Sequence, residues 1–442
     1  MNTLPDSPIG VYDIELSRPL PPLAPIGDAS SARVLARVHS RPVADLVVPI
    51  PRQGLDVAEV ELALADVLPL AAHHTAAEGS RDDGEPVCLS RRREIAGTGP
   101  SITVLIATRD RPPALLRCLD SIARLNYPRF DVVVVDNAPR TDDTQRAVRS
   151  WKLEHPTVPL HYLVEPELGA ALAHNRGLAR ATGEWVARTD DDVIVDPQWL
   201  SAIAEAATSE PGVACVTGLI LPAEVDTPAQ KLLEQFGGYA RGFERRCYDL
   251  DEHRPAEDGL FPFTVGRLGS GANMAFDAAK LRARGGFDVA LGPGTTARGG
   301  EDLLALFQVI TEGHKLVYEP SALVWHWNRR DYPSLQRLVH DYGIGLAAYL
   351  MSAVLRNPRL ASTMLRRAVP GVRHVLSRSS AKNRSKRADY PRELERLEML
   401  GMLKGPPAYL ASRWKQRGVA GNRIIAAAPS VTAGVENGHG AR

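Results

Sequence analysis

Between residues 101 and 192 the sequence carries four apolar runs, and each ends in a cluster of polar side chains. The runs are SITVLIAT (101–108), DVVVVDNA (131–138), LHYLVE (160–165) and GEWVARTDDD (183–192). Near-continuous Val, Ile and Leu is what a strand buried on both faces requires. Between the runs lie PPALLRCLDSIARL (112–125), with proline in its first turn, a polar helical stretch over 141–155, and LGAALAHNRGLARAT (168–182). Strands alternating with helices predict an α/β fold with a mostly parallel, Rossmann-like sheet and helices on both faces. Ligands of such sheets sit beyond the carboxyl ends of the strands. The polar clusters TRD, DN, EPE and DDD gather at those ends, in strand order.

The flanks read differently. Residues 1–27 are Pro-rich and read as irregular. Residues 28–99 read as a small α+β module and linker. Within it, 32–50 alternate as a hairpin around SRP, 56–68 have helical spacing ended by Pro69, and 77–99 read as a charged linker containing SRRREI. The α/β domain is expected over 100–333. Past residue 210 its alternation loosens into a strand at 212–221, a helix at 226–239, the short strand GANMAF (271–276), a helix and strand over 299–320, and a separate strand ALVWHW (322–327). Residues 334–420 read as a basic helical extension, and the Ala/Gly-rich composition of 421–442 predicts disorder.

Bulk composition excludes more than it selects. Lys and Arg number 53 against 52 Asp and Glu, so net charge gives no reason to expect nucleic acid as a partner. The four cysteines form no C-x-x-C pair, which fits a reducing compartment and argues against a disulfide framework. The N-terminus lacks the basic start and apolar core of a secretory signal. The longest apolar run, 343–355, falls short of the ~20 residues of a membrane-spanning helix. A cytoplasmic protein is the expectation. Residues 351–420 hold 16 Lys/Arg against 4 Asp/Glu. A solvated face is the ordinary reading of that excess, and peripheral contact with the inner face of an anionic membrane is the alternative.

Asp190, Asp191 and Asp192 end a strand that reads as buried. Adjacent carboxylates repel and are costly to desolvate, and a divalent cation reverses that cost. In an extended segment Asp190 and Asp192 face one cation, while Asp191 points the other way, toward a ribose or solvent. The chain has no G-x-x-x-x-G-K-[ST] and no G-x-G-x-x-G after its first strand, so neither a P-loop nor a dinucleotide fingerprint is present. Carboxylates holding Mg2+ or Mn2+ against phosphates remain.

These pieces resemble the family 2 glycosyltransferases, from about residue 101 to about 350. IATRDRPPALLRCLDSI is similar to that family's opening strand and helix, and VVVVDNAPRTDDT to its second strand. GAALAHNRGLARATGEWVARTDDD leads to its D-x-D motif, and GANMAF with GGFD and GGED is similar to its acceptor side. The resemblance implies the glycosyltransferase A-type fold and an inverting transfer from a nucleotide-sugar donor. It assigns Thr108, Asp110, Asp136, Arg176 and Asp191 to the nucleotide-sugar, and Asp190, Asp192 and His326 to the metal. It makes Asp302 the general base, with Glu301 beside it. IATRD departs from the family's commoner P-T-Y/F-N, and no Q-x-x-R-W of processive synthases is found.

The implied acceptor is a carbohydrate, a lipid-linked sugar or a small molecule, as in cell-surface polysaccharide, glycolipid or secondary-metabolite glycosylation. A catalytically degenerate nucleotide-sugar-binding protein and a nucleotidyltransferase are the competing readings. LGPGTTARGGED (291–302) reads as a mobile loop able to close over a donor.

Overall fold

The computed structural model describes residues 7–420, apart from 83, 237, 378, 379, 381, 382, 384, 385 and 387–389. The expected disordered tail, 421–442, lies outside the described residues. The chain begins with strands β1 (Ile9–Glu15), β2 (Ser31–Val38) and β3 (Arg41–Pro49), then helices α1 (Val57–Ala63), α2 (Leu68–Glu78) and α3 (Val87–Thr98). It continues through β4 (Ile102–Thr108), α4 (Pro112–Ile122), β5 (Phe130–Asn137), α5 (Asp143–Glu154), β6 (Leu160–Glu165), α6 (Ala170–Arg180), β7 (Trp185–Asp190) and β8 (Val193–Val195). Next come α7 (Trp199–Ala207), β9 (Val213–Pro222), α8 (Pro228–Phe236), β10 (Arg246–Tyr248), β11 (Asn273–Asp277), α9 (Ala278–Ala283), α10 (Glu301–Thr311) and β12 (Lys315–His326). Helices α11 (Tyr332–Arg356), α12 (Leu360–Arg366), α13 (Ala368–Leu376) and α14 (Arg392–Ala420) complete it.

The main sheet has nine strands in the order β10-β12-β9-β11-β7-β4-β5-β6, with β8 pairing to β12. Strands β4, β5, β6 and β7 are parallel, as are β9 and β12, while β11 runs antiparallel between β7 and β9. The two-residue period of a strand sorts the core. Val132 and Val134 pack with α4, α5 and α7 on one face, and Val133 and Val135 pack with α6 and α10 on the other. Gly177 lets α6 lie close to the sheet, because a Cβ there would sit 2.1 Å from Leu105 Cδ1.

Strand β2 is buried along its whole length. Its even residues Ala32 and Val34 join Ile14, Val60 and Leu64 in a small core. Its odd residues face the main sheet. Leu35 packs with Leu219, Leu221 and Leu323, Arg33 Nη1 reaches Glu234 at 2.8 Å, and Arg37 Nη1 reaches Asp196 at 2.7 Å. The N-terminal sheet is therefore seated on the α/β body.

Several expectations give way here. Residues 1–27 are not irregular throughout, because IGVYDIE forms β1, parallel to β2. Pro69 does not end a helix; α1 stops at Ala63 and Pro69 sits in the first turn of α2, where its missing N–H costs nothing. The stretch read as a linker contains α3, which carries Arg92 to within 3.8 Å of the buried Glu205. The two strands expected at the end of the domain are one, β12, with a register shift between Glu319 and Leu323 that breaks the pattern of alternation. Helix α11 is long and apolar enough to cross a membrane by length and composition, which its 13-residue apolar run does not suggest. Here it packs against α10 and α14. Its contact with α14 is backbone to backbone, since a Cβ on Gly401 would lie 2.2 Å from His340 O.

Candidate active site

The carboxyl ends of β4, β5 and β7 lie level, with Thr108 opposite Asp136 and Ala107 opposite Asp190. They open into a cavity of about 1950 Å3 whose far wall is built from the loop before β11, the start of α10 and the C-terminal helices. The Asp triplet alternates as an extended segment must. Asp190 and Asp192 line the cavity, and Asp191 turns away from it. It does not reach ribose or solvent, however, because Asp191 is fully buried. Its Oδ2 accepts from Thr108 Oγ1 at 2.6 Å, and its Oδ1 pairs with Arg111. Burial pushes the Asp191 carboxyl up to about 7.

Asp192 Oδ2 is 2.8 Å from Arg111 Nη1, and its Oδ1 is 3.4 Å from His326 Nε2. Burial raises the Asp190 carboxyl; at Asp192 burial is outweighed by His326 and Arg111, which hold it low. The Nδ1 of His326 lies 2.8 Å from Asn328 Oδ1, a carbonyl oxygen that can only accept, so Nδ1–H donates to it and Nε2 is the ring nitrogen turned toward the aspartates. One ligand atom from each of Asp190, Asp192 and His326 lies within 4.8 Å of the other two. Two carboxylates and an imidazole nitrogen form a donor set that suits Mn2+ or Mg2+, so these residues fit the expected cation.

Across the cavity, Gly300 takes a left-handed φ of 91° and turns the chain into α10, whose first residues are Glu301 and Asp302. Their side chains part. Glu301 is buried and receives Arg188 Nη2 at 2.9 Å. Asp302 faces the cavity, with Oδ2 accepting from Gly271 N at 3.0 Å and Oδ1 from its neighbour Leu303 N at 2.8 Å. Burial alone would lower the Arg188 guanidinium; Glu301, Asp190 and Asp302 outweigh it and raise it. Arg188 thus ties the strand that bears the Asp triplet to the helix that bears Asp302. The segment 291–302 is pinned. Ala297 is fully buried, Thr296 Oγ1 donates to Ala408 O at 2.9 Å, and Gly299 packs on Gly345 of α11.

Other expected donor contacts stand elsewhere. Asp110 lies in a separate shallow hollow, where Arg140 N and Nε donate to it and hold its carboxylate low. Asp136 is fully buried below the cavity, with Tyr162 Oη donating to it at 2.7 Å. Arg176 turns to Glu165 at 3.5 Å. From the same helix it is His174 that lines the cavity, kept neutral by burial and by Arg188. Sequence reasoning missed Arg111, Arg188 and His174. Period-2 alternation along WVARTDDD places Arg188 on the face of Asp190, so that signal was available. Nothing local marks Arg111 or His174.

Residues 103–256 match the family model of glycosyl transferase family 2. The match starts close to the expected residue 101 and stops before GANMAF and GGED. A pre-mycofactocin glycosyltransferase from Mycobacterium tuberculosis is 31% identical over 236 residues, covering 52% of this chain and 44% of that protein. The validoxylamine A glucosyltransferase of Streptomyces hygroscopicus subsp. jinggangensis is 28% identical over 225 residues, covering 46% of this chain and 50% of that protein. The chain spans about half, or less, of the length of these relatives. Among solved structures, the mannosyltransferase PcManGT from Pyrobaculum calidifontis in complex with GDP-Man and Mn2+ aligns with a TM-score of 0.42 and 19% identity, over 81% of this chain and 88% of that one.

Proposed function

We propose that this chain, with its family 2 glycosyltransferase match over residues 103–256, is a metal-dependent inverting glycosyltransferase. It moves a sugar from a nucleoside-diphosphate sugar to an acceptor hydroxyl. The observation that carries this reading is one cavity lined by Asp190, Asp192 and His326 together with Asp302. A divalent cation held by the first three would neutralise charge developing on the departing diphosphate. The protein residues divide the remaining work.

Asp302 takes the proton of the acceptor hydroxyl. Its carboxylate is oriented by the Gly271 and Leu303 N–H groups, and a positioned base needs no unusual acidity because the hydroxyl acidifies only as its bond to the anomeric carbon forms. Attack opposite the leaving group inverts that carbon. Arg188 and Glu301 are positioning residues that tie the strand bearing Asp190 to the start of the helix bearing Asp302. Thr108 and Arg111 hold the triplet so that Asp190 and Asp192 face the cavity.

The test is a panel of nucleotide-sugars, each with Mn2+ or with chelator, scored for released nucleoside diphosphate and for thermal shift. One donor should respond, and only with metal. Asp302→Asn should lower turnover at least a hundredfold, in the range of general acid–base contributions, while the donor thermal shift persists. No response to any donor with metal present would sink the reading in favour of a non-catalytic fold.

A further inference from the structure

We propose that the outer face of α12–α14 docks on an anionic lipid bilayer, and that the acceptor is a lipid of that bilayer whose hydroxyl-bearing head reaches Asp302; the second half rests on the glycosyltransferase reading. Helix α14 has two faces. Leu394, Gly401, Gly405, Tyr409 and Ser412 are buried on the side of α11. On the opposite side Met399 is 42% exposed, Leu403 76%, Leu410 47% and Trp414 72%. At 100° per residue these four fall within an arc of about 60° and run for roughly 22 Å along the helix. Leu365 and Val369 of α12–α13 are likewise 78% and 79% exposed. Single exposed apolar residues need no explanation, but a continuous line of them marks an interaction surface.

The charge around that line selects the partner. Arg396 and Arg417 fall on the same arc, with Arg413 about 40° outside it, and all three are exposed. Residues 351–420 as a whole hold 16 Lys/Arg against 4 Asp/Glu. A basic face alone is solvated, whereas a basic face around Leu and Trp is the pattern of a helix lying in a lipid headgroup layer. A second copy meeting through this face would set basic on basic.

The same face opens into the catalytic cavity. Met364 and Arg367 of α12–α13, Met399, Met402 and Leu403 of α14, and Leu346 and Leu350 of α11 line the same cavity as Asp302. The volume of about 1950 Å3 is roughly twice the upper end for a drug-sized ligand. A hydrocarbon chain held among these methionines and leucines keeps its head beside the carboxylate.

Sedimentation with vesicles tests the docking. The full chain should pellet with mixed phosphatidylcholine–phosphatidylglycerol vesicles and not with phosphatidylcholine alone. Leu403→Glu with Trp414→Glu, both at exposed positions, should lower partitioning about tenfold or more without changing the unfolding temperature. Equal partitioning of the variant, no partitioning of the wild type, or a dimer in light scattering that this variant dissolves would each overturn it. Calorimetric titration of dodecyl glucoside below its micellar concentration, against methyl glucoside, tests the acceptor. Saturable one-to-one binding of the dodecyl compound, weakened about tenfold by Met402→Glu, is expected, and its absence removes the lipid acceptor. Neither measurement needs turnover, so failure of the nucleotide-sugar panel is judged separately.

Discussion

Asp191 is the most buried carboxylate of the triplet and the one that meets no cavity. The alternation of an extended chain dictates that a residue between two cavity-facing aspartates must point into the sheet's other surroundings. Thr108 and Arg111 are what it finds there. Thr108→Val keeps the shape and removes the donor, and hydrogen bonds to charged groups are worth about 1.5–3 kcal/mol. Urea unfolding of that variant should show a loss of this size; a loss below about 0.5 kcal/mol would mean that Arg111 alone satisfies Asp191. At this scale the sequence was legible where a short motif carries its own chemistry, as DDD, GGED and WHW do. Asp190, Asp192, His326 and Asp302 come to one cavity. Asp110, Asp136 and Arg176 do not line it, because neighbouring side chains compete for each of them: Arg140, Tyr162 and Glu165. Those partners come from other elements, and only tertiary structure reveals them.

Among the elements, α10 depends on a contact that carries no side chain. Gly299 and Gly300 lie against Gly345 of α11, and a Cβ on Gly345 would stand 3.0 Å from Gly299 Cα. Gly345→Ala should push the start of α10 by a few tenths of an ångström. Because small displacements of reacting groups are costly, its kcat should fall roughly tenfold with donor binding unchanged; an unaltered kcat would show that Asp302 is positioned independently of α11.

A second contact fixes α11 and α14 to the body. Ser352 Oγ and Tyr409 Oη donate to Asp288 Oδ2 at 2.8 and 2.9 Å, and Arg356 Nη2 pairs with it at 3.0 Å. Burial alone would raise the Asp288 carboxyl, but Arg356 and Ser352 outweigh it and hold it below its ordinary 3.8. A depressed carboxyl contributes its stability above its unfolded pKa and loses it as pH falls through the lower folded value. Thermal unfolding should therefore lose a component only below about pH 4, and Asp288→Asn should lack that component. The strand and helix pattern of 101–195 was legible because burial on both faces writes it in β-branched residues. Helix α3 was not, because its buried residues are Cys88, Ser90 and Arg92, which follow no apolar helical period, and Arg92 is directed at Glu205 from another element.

For the whole molecule, the decisive feature is that β2 has no outer face. Its odd residues reach the α/β body and its even residues the small N-terminal core. Arg37 and Asp196 are each 7% exposed at the side chain. Arg37→Ala leaves Asp196 buried without its cation, which costs about 3–5 kcal/mol; equilibrium denaturation should show a single transition shifted by that amount. Two transitions, with only the first shifted, would instead mean that the N-terminal sheet unfolds by itself.

Asp196 stands four residues after Asp192, so the pair also links the opening of the chain to the segment that carries the cavity-facing aspartates. The consequence is one of inheritance. A catalytic body that parted from this N-terminal sheet would expose Leu219, Leu221 and Leu323 and strand two acids, Asp196 and Glu234. Changes at 33 and 37 should therefore be accompanied, across lineages, by changes at 234 and 196. A recombinant that borrows the sheet from a relative should be soluble only when it brings those partners with it.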